Sequence, residues 1–303
     1  MSVDTQNLSK VKRDDFYRVM GVLGRYSIHA VLLIFGLLCL IPMIIILSAS
    51  FTDEIALTRQ GYGIIPAEFS TTAYQFIFDK PETILRAYGV TIFITGIGTP
   101  LAVLMMSLMA YPLSRADFKL RRAFSFYILF TMLFNGGLVP YYILMTQYLH
   151  LRNTLTALIL PHLVGGYYIM ILRSYFAGLP QELIEAARVD GAGEWRIFFE
   201  IVLPLSKPAL ATIGLFVALG YWNSWTSALY FIRDQNLYPL QYLLHSIMRN
   251  AAAMALEPQL GAVQLPLQTT RMAMAVLATG PAAILFLFFQ KYLIRGITLG
   301  SFK

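Results

Sequence analysis

The sequence predicts an all-α polytopic membrane protein with six transmembrane helices. Three observations carry that expectation. Of the 303 residues, 57% are hydrophobic and only 13% charged, where soluble domains carry about 25% charged residues. Six apolar runs reach the roughly 20 residues needed to cross the hydrocarbon. The basic residues gather on alternate connecting segments.

The runs are about Tyr26 to Leu47, Ala87 to Tyr111, Phe124 to Met145, Leu155 to Phe176, Ala209 to Tyr230 and Met272 to Leu293. The first is too long, and too far from the N-terminus, for a cleaved signal peptide. It is expected to be retained as a span. Orientation follows from Lys and Arg. Sixteen of the 23 lie on the tail 1–25, the second-to-third loop, the fourth-to-fifth loop with its approach, and the C-terminal end from Lys291. Such a bias predicts both termini in the cytoplasm. It also accounts for the +7 net charge without nucleic acid. The single cysteine, Cys39, excludes an intrachain disulfide.

Two outer segments are long, about 48–86 and 231–271. In the second, Leu240, Leu243, Leu244 and Ile247 recur at helical spacing. This helix is expected to rest on the bilayer, on another protein, or on the outer end of the chain itself.

Spans three, four and five carry helix breakers: NGGLVP from Asn135, LPHLVGG from Leu160, and GYWNSW from Gly220. Each falls roughly 10–20 Å from its own membrane entry at ~1.5 Å per residue. Irregular backbone at that depth is tolerated where it is buried in protein or lines a watery cavity. Asn135, Tyr141, His162, Tyr221, Trp222, Asn223 and Trp225 gather there. Aromatic faces with a few amide and hydroxyl groups suit sugar rings. The same residues also serve as packing and interfacial groups, so a substrate path and plain packing both stand.

The motifs that are absent narrow the function. There is no G-x-x-x-x-G-K-[ST], so this chain has no phosphate-cradling loop of its own. The motifs H-E-x-x-H and G-x-S-x-G are missing, and the four histidines lack ligand spacing. No metal site or catalytic constellation is expected, which argues against a polytopic enzyme. The six spans contain no Asp or Glu, which argues against an ion-driven secondary transporter.

The segment 177–208 breaks the apolar pattern. Residues 181–189 are expected to form a short helix, with Pro180 in its first turn and Glu182 and Glu185 near the positive end of its dipole. Asp190-Gly191 would break it, with Asp190 capping the next helix. Trp195, Phe198, Phe199 and Val202 then fall on one helical stripe. Arg196 has Glu200 one turn on. Pro204 and Pro208 lead into span five. This predicts a helix–turn–helix knob, with an amphipathic pair lying on lipid as the alternative.

Within that knob, Glu185-Ala186-Ala187, Asp190-Gly191-Ala192, Ile201, Leu203-Pro204 and Pro208 resemble the EAA signature of ABC importer permeases. The likeness extends to AYPLSR (Ala110 to Arg115), FNGGLVPYYI (Phe134 to Ile143), Trp222 to Trp225, PLQYLL (Pro239 to Leu244) and QKYLIRGITLG (Gln290 to Gly300). These are similar to carbohydrate-uptake permeases, closest to the oligosaccharide/polysaccharide subgroup on the side of the maltose transporter. The resemblance implies a type I importer permease fold, with a coupling helix between helices 4 and 5. It implies a second, related permease, two ATP-binding subunits that hold ATP and Mg, an external solute-binding protein and an oligosaccharide substrate, at a bacterial cytoplasmic membrane. It gives this chain no cofactor. Glu185, Ala186, Ala187, Asp190, Gly191, Ala192, Leu203 and Pro204 would couple to the ATPase. Glu185 would supply polar contacts, the alanines close packing, and Gly191 the turn. The C-terminal tail is implied to touch the ATPase side. In a maltose-type arrangement the sugar would be held mainly by the partner permease, leaving Trp222 and Asn223 as path lining. A non-sugar solute is the alternative cargo.

Overall fold

The computed structural model describes the backbone of residues 5–255 and 266–299, with side chains within 27–253 and 266–290. Part of the second outer segment and the last four residues of the C-terminal tail lie outside the described residues. Helices dominate: α1 (Thr5–Ser50), α2 (Glu54–Gln60), α3 (Thr72–Ile77), α4 (Pro81–Ser114), α5 (Arg121–Leu133), α6 (Leu138–Tyr148), α7 (Thr156–His162), α8 (Gly166–Ala177), α9 (Gln181–Val189), α10 (Glu194–Leu205), α11 (Lys207–Trp222), α12 (Trp225–Phe231), α13 (Leu240–Ala255) and α14 (Leu267–Leu299). Among the described residues the only β pairing is an isolated bridge between Thr52 and Phe69.

Ser27–Ser50 within α1, α4, and Leu267–Leu287 within α14 are long and apolar enough to cross a membrane. Three further stretches qualify only as bent pairs: α5 with α6 at 108°, α7 with α8 at 48°, and α10 with α11 at 80°. The breaks expected in spans three and four lie at two of these bends, at 134–137 and 163–165; the one expected in span five lies at 223–224, whereas the 80° bend falls at Ser206, before α11. Span five was expected to run from Ala209 to Tyr230. Its helix instead stops at Trp222, and α12 is a separate piece.

The chain divides into two compact units, residues 1–76 with 266–276 and residues 77–265 with 277–303. In the first, the apolar side chains of α1 from Ile28 to Met43 are exposed. Its C-terminal end is held differently. The Phe51 ring stacks on Phe69 and Tyr74, and Ser50 bonds the Tyr74 hydroxyl at 2.9 Å. The Glu54 carboxylate accepts from the backbone N–H groups of Gln268 and Thr269, each at 2.9 Å, and from the Thr269 hydroxyl at 2.8 Å. Those amides open α14 and have no partner inside the helix, and negative charge is favoured there. A residue from far earlier in the chain thus caps α14.

The second unit is built on α4. At 34 residues it is about 50 Å long, well beyond a ~30 Å hydrocarbon core. Ala102, Met106 and Ala110 of α4 meet Ile169, Leu172 and Phe176 of α8, and Ile213, Val217 and Tyr221 of α11, in one buried cluster. Small residues on α4 let the backbones approach closely. The tightest point is Gly98, where a Cβ would lie 2.5 Å from the Tyr221 ring. That ring cannot swing aside. It is fully buried, and its hydroxyl donates to the Ile159 carbonyl at 2.8 Å.

The helix expected around Leu240 to Ile247 is α13. Leu240, Leu243 and Leu244 are buried, and Leu240 N–H donates to the Thr91 hydroxyl at 2.8 Å. Of the three supports expected for it, the apolar face of α13 uses the chain itself. Asn153 holds the approach to it. Its backbone sits at φ +60°, a conformation Asn tolerates, and its side chain accepts from the N–H groups of Arg233 and Asp234.

Gly98→Ala is expected to destabilise the folded chain by roughly 1–3 kcal/mol, the usual cost of overpacking. Thermal unfolding in detergent measures this, and the loss should exceed that of Gly96→Ala, where a Cβ meets open space.

Candidate functional site

The segment after α8 folds as the knob anticipated from its sequence. Helix α9 ends in a Schellman motif. Ala192 N–H bonds the Ala187 carbonyl at 2.9 Å, and Gly191 N–H bonds the Arg188 carbonyl at 3.0 Å. Gly191 sits at φ +82°, the left-handed position such a cap requires of its first non-helical residue. Asp190 does not cap the next helix. It closes α9, with its N–H on the Ala186 carbonyl, and Gly193 occupies the cap position of α10. Pro180 stands just before α9 rather than in its first turn.

The aromatic stripe is also redistributed. Residues 197–202 form a π-helical turn. Its i→i+5 bonding brings 197 and 202 onto one face. Ile197, Phe198 and Val202 are consequently buried, while Trp195 and Phe199 stay exposed and stack on each other at 6.2 Å. Arg196 pairs with Glu200 at 2.8 Å, as expected of their spacing. The pair is exposed and contributes little to stability.

The two faces of α9 differ. Gln181, Ile184 and Arg188, three and four apart, share one face and all engage the rest of the unit. Ile184 is buried among the α4–α8–α11 core. Arg188 bonds Asp117 at 2.9 Å and Glu194 at 2.5 Å. Glu194 accepts the Tyr111 hydroxyl at 2.7 Å. Arg115 lies 3.4 Å from Asp117 and 3.4 Å from the Gln181 amide oxygen. Arg173 of α8 adds a 3.1 Å bond to the Leu113 carbonyl, near the C-terminal end of α4. Tyr111, Arg115, Asp117, Arg188 and Glu194 border a cavity of ≈ 490 Å³ walled also by Leu108, Pro112, Phe118 and Phe198. On the other face, Leu183 and Val189 are exposed, Val189 at 87%. Glu185 and Ala186 are exposed too, Ala187 and Ala192 pack half-buried on the core, Leu203 is half-buried, and Pro204 is exposed.

Partial burial works against ionisation of Asp117, but Arg188 and Arg115 outweigh it and hold its carboxyl below the usual range. At Glu194, burial is likewise outweighed by the Tyr111 hydroxyl and Arg188. Sequence reading singled out none of Tyr111, Arg115 and Asp117 as partners of this loop. Their separations of up to 83 residues leave no local signal.

The seven residues expected at mid-span do not form one cluster. Tyr221 and Trp222 are buried, and the Trp222 indole N–H donates to the Ala278 carbonyl at 2.9 Å. His162 meets Tyr221 edge-on at 5.2 Å. Tyr141 is half-buried beside Phe231. Asn135 is exposed and accepts from Gly137 N–H at 2.8 Å, within the α5–α6 break. Asn223 and Trp225 are exposed and face α13. Asn223 accepts from the Gln241 amide at 3.2 Å, and Trp225 stacks on His245 at 4.8 Å.

This geometry has two measurable consequences. Gly191→Val should cost about 1–2 kcal/mol through backbone strain alone, since a side chain there meets open space. Gly191→Asn should cost less, and thermal unfolding ranks them. Asp117 and Glu194 have depressed folded values, so their contribution is complete above the unfolded carboxylate value of ~4 and is lost as pH falls through the folded values. The melting difference between wild type and Asp117→Asn should hold from pH 7 to 5 and shrink below about pH 4.

Residues 77–299 match the family described as "Binding-protein-dependent transport system inner membrane component". The polygalacturonan/rhamnogalacturonan transport system permease protein YtcP of Bacillus subtilis (strain 168) is 39% identical, over 91% of this chain and 96% of its own length. The trehalose/maltose transport system permease protein MalG of Thermococcus litoralis is 31% identical, over 93% of this chain and 98% of its own. A crystal structure of a bacterial ABC transporter involved in the import of the acidic polysaccharide alginate contains a similar chain. It superposes with a TM-score of 0.73 at 31% identity, covering 91% of this chain and 97% of that one. The helical architecture, the bent spans and these likenesses agree: the chain belongs to the binding-protein-dependent transport system inner membrane component family, as an ABC importer permease.

Proposed function

We propose that this permease spans a bacterial cytoplasmic membrane six times, with α5–α6, α7–α8 and α11–α12 each counting as one broken span, and with both termini inside. It forms half of a path for oligosaccharides. A second, related permease supplies the other half, and an external solute-binding protein delivers the cargo. Two partner subunits bind ATP and Mg and hydrolyse the nucleotide, because this sequence carries no phosphate-cradling loop.

The observation that carries the coupling role is the two-sidedness of α9. One face is tied to the unit's core, while the other presents exposed Leu183 and Val189 beside exposed Glu185 and Ala186. A short helix with a free apolar face on a charged connecting segment suits docking into a groove. Glu185 adds polar contacts at that joint. Ala186 leaves room for close approach, and Asp190, Gly191 and Ala192 hold the cap. Leu203 and Pro204 close the unit before α11 turns through 80°.

Uronate-bearing oligosaccharides fit best as cargo. The relatives include a permease named for a galacturonan, a polymer of uronic acid, and a transporter of an acidic polysaccharide. On this chain, exposed His245 and Arg249 follow Gln241 along α13 at four-residue spacing, beside Asn223 and Trp225. A cationic and aromatic strip of this kind suits carboxylated sugars. We assign Asn223 and Trp225 to the path, and Tyr221, Trp222 and His162 to holding the broken helices.

Co-purification with the partner subunits, followed by ligand-stimulated ATPase assays on neutral and uronic-acid oligosaccharides, tests the reading. Stimulation by the acidic set is expected. Stimulation only by a non-sugar solute would overturn the cargo assignment. Val189→Asp should lower ATPase association at least about tenfold, as for a buried apolar contact in a docked interface. Asn223→Ala with Trp225→Ala should weaken uptake while assembly persists. Trp222→Phe, which loses the Ala278 bond, should instead lower thermal stability by about 1 kcal/mol.

A further inference from the structure

Helix α9 is bounded by glycines on both sides. Gly178 lies before it, and Gly191 and Gly193 after it. Covalent geometry alone would let a pushed α9 swivel about these points. Two attachments oppose that. Ile184 plugs into the core. Arg188, one turn on, reaches Asp117 just after α4 and Glu194 at the start of α10, while Glu194 holds the Tyr111 hydroxyl near the end of α4. Arg115 ties Asp117 and Gln181 to the same point. The contacts therefore join three segments, α9, α10 and the inner end of α4. They do not close within one helix.

From this geometry we infer that Arg188, with Asp117, Glu194 and Tyr111, is a latch that makes α9 move as one body with α4. The inference rests on α9 being the coupling helix. A displacement applied to the outer face of α9 then passes into α4, and from α4 to α8 and α11, which pack along it. Without the latch, part of the displacement is absorbed at Gly178 and Gly191. Arg188 is a positioning residue here. Its side chain faces the unit and not the docking face. An arginine suits the place because its planar fork serves two carboxylates at once. Each pair alone is partly exposed and weak. The latch works through several weak pairs sharing one guanidinium.

The test uses the whole transporter in proteoliposomes, with its ATPase subunits and binding protein, and reads cargo imported per ATP hydrolysed. Arg188→Gln should keep ATPase association and lose roughly fivefold in that ratio. Asp117→Asn, acting from the α4 side with α9 itself unaltered, should move the ratio the same way. Arg188→Lys should recover part of it. An unchanged ratio in both Arg188→Gln and Asp117→Asn would overturn the latch. So would loss of ATPase association in Arg188→Gln with Asp117→Asn at the wild-type ratio, which would put Arg188 in the docking surface. A separate arm checks the underlying reading. Val189→Cys in the otherwise wild-type chain should cross-link to an ATPase subunit, and its failure to do so would remove α9 as the coupling helix whatever the ratio shows.

Discussion

Where α4 passes α8 and α11, its side chains shrink to Ala102, Ala110 and Gly98. The larger unit depends on that approach. In a lipid environment helices gain little from burying apolar surface against one another, so association relies on close packing and on hydrogen bonds between elements. The Tyr221 ring fills the space over Gly98, and its hydroxyl crosses to the Ile159 carbonyl of α7. One side chain thus locates α11 against α4 and secures the break in the fourth span. The Trp222 indole does the same between α11 and the Ala278 carbonyl of α14.

The broken helices raise a second demand, since backbone groups freed by a break must find partners within the protein. Asn135 serves Gly137. Gly165 N–H lies 3.4 Å from the Met106 sulfur of α4. Asn223 turns its amide back to the Leu219 carbonyl, and the Ser224 hydroxyl bonds the Tyr221 carbonyl. The polar residues at the breaks therefore do structural work before any cargo arrives. The exposed pair that faces Gln241 and His245, Asn223 and Trp225, is a smaller set than the sequence offered. It sits where a broken helix meets α13, which is itself held on α4 through Thr91.

The knob packs against the same core as these features. Its turn is a backbone device, the left-handed Gly191 within a Schellman cap. Its anchor is a hydrophobic plug and a charge network on α4. The long α4 carries both ends of the arrangement, since Tyr111 reaches the network and Gly98 the Tyr221 contact on a single helix. The knob and the breaks are therefore joined through one continuous helix, with a few weak ion pairs between it and α9.

Features that depend on near neighbours were legible in the sequence. Apolar runs gave the membrane class, and breakers gave the bends in spans three and four and the helix break at 223–224 in span five. Charge, glycine and proline spacing gave the α9–turn–α10 unit, because caps and periodicity act within a few residues. Local rules also misplaced details. Asp190 looked like a cap for α10, and Trp195 to Val202 looked like one stripe, because neither the Schellman closure at Gly191 nor the π-turn at 197–202 is written in helical spacing. Which polar groups are already engaged was settled by the packed fold alone. Tyr221 and Trp222 are satisfied inside the chain, Glu54 caps a helix more than two hundred residues away, and Arg188 finds Asp117 across the fold. These contacts join residues whose separation in sequence carries no periodic signal. Their partners are set by how α4, α8, α9 and α11 pack, and packing is a property of the whole chain.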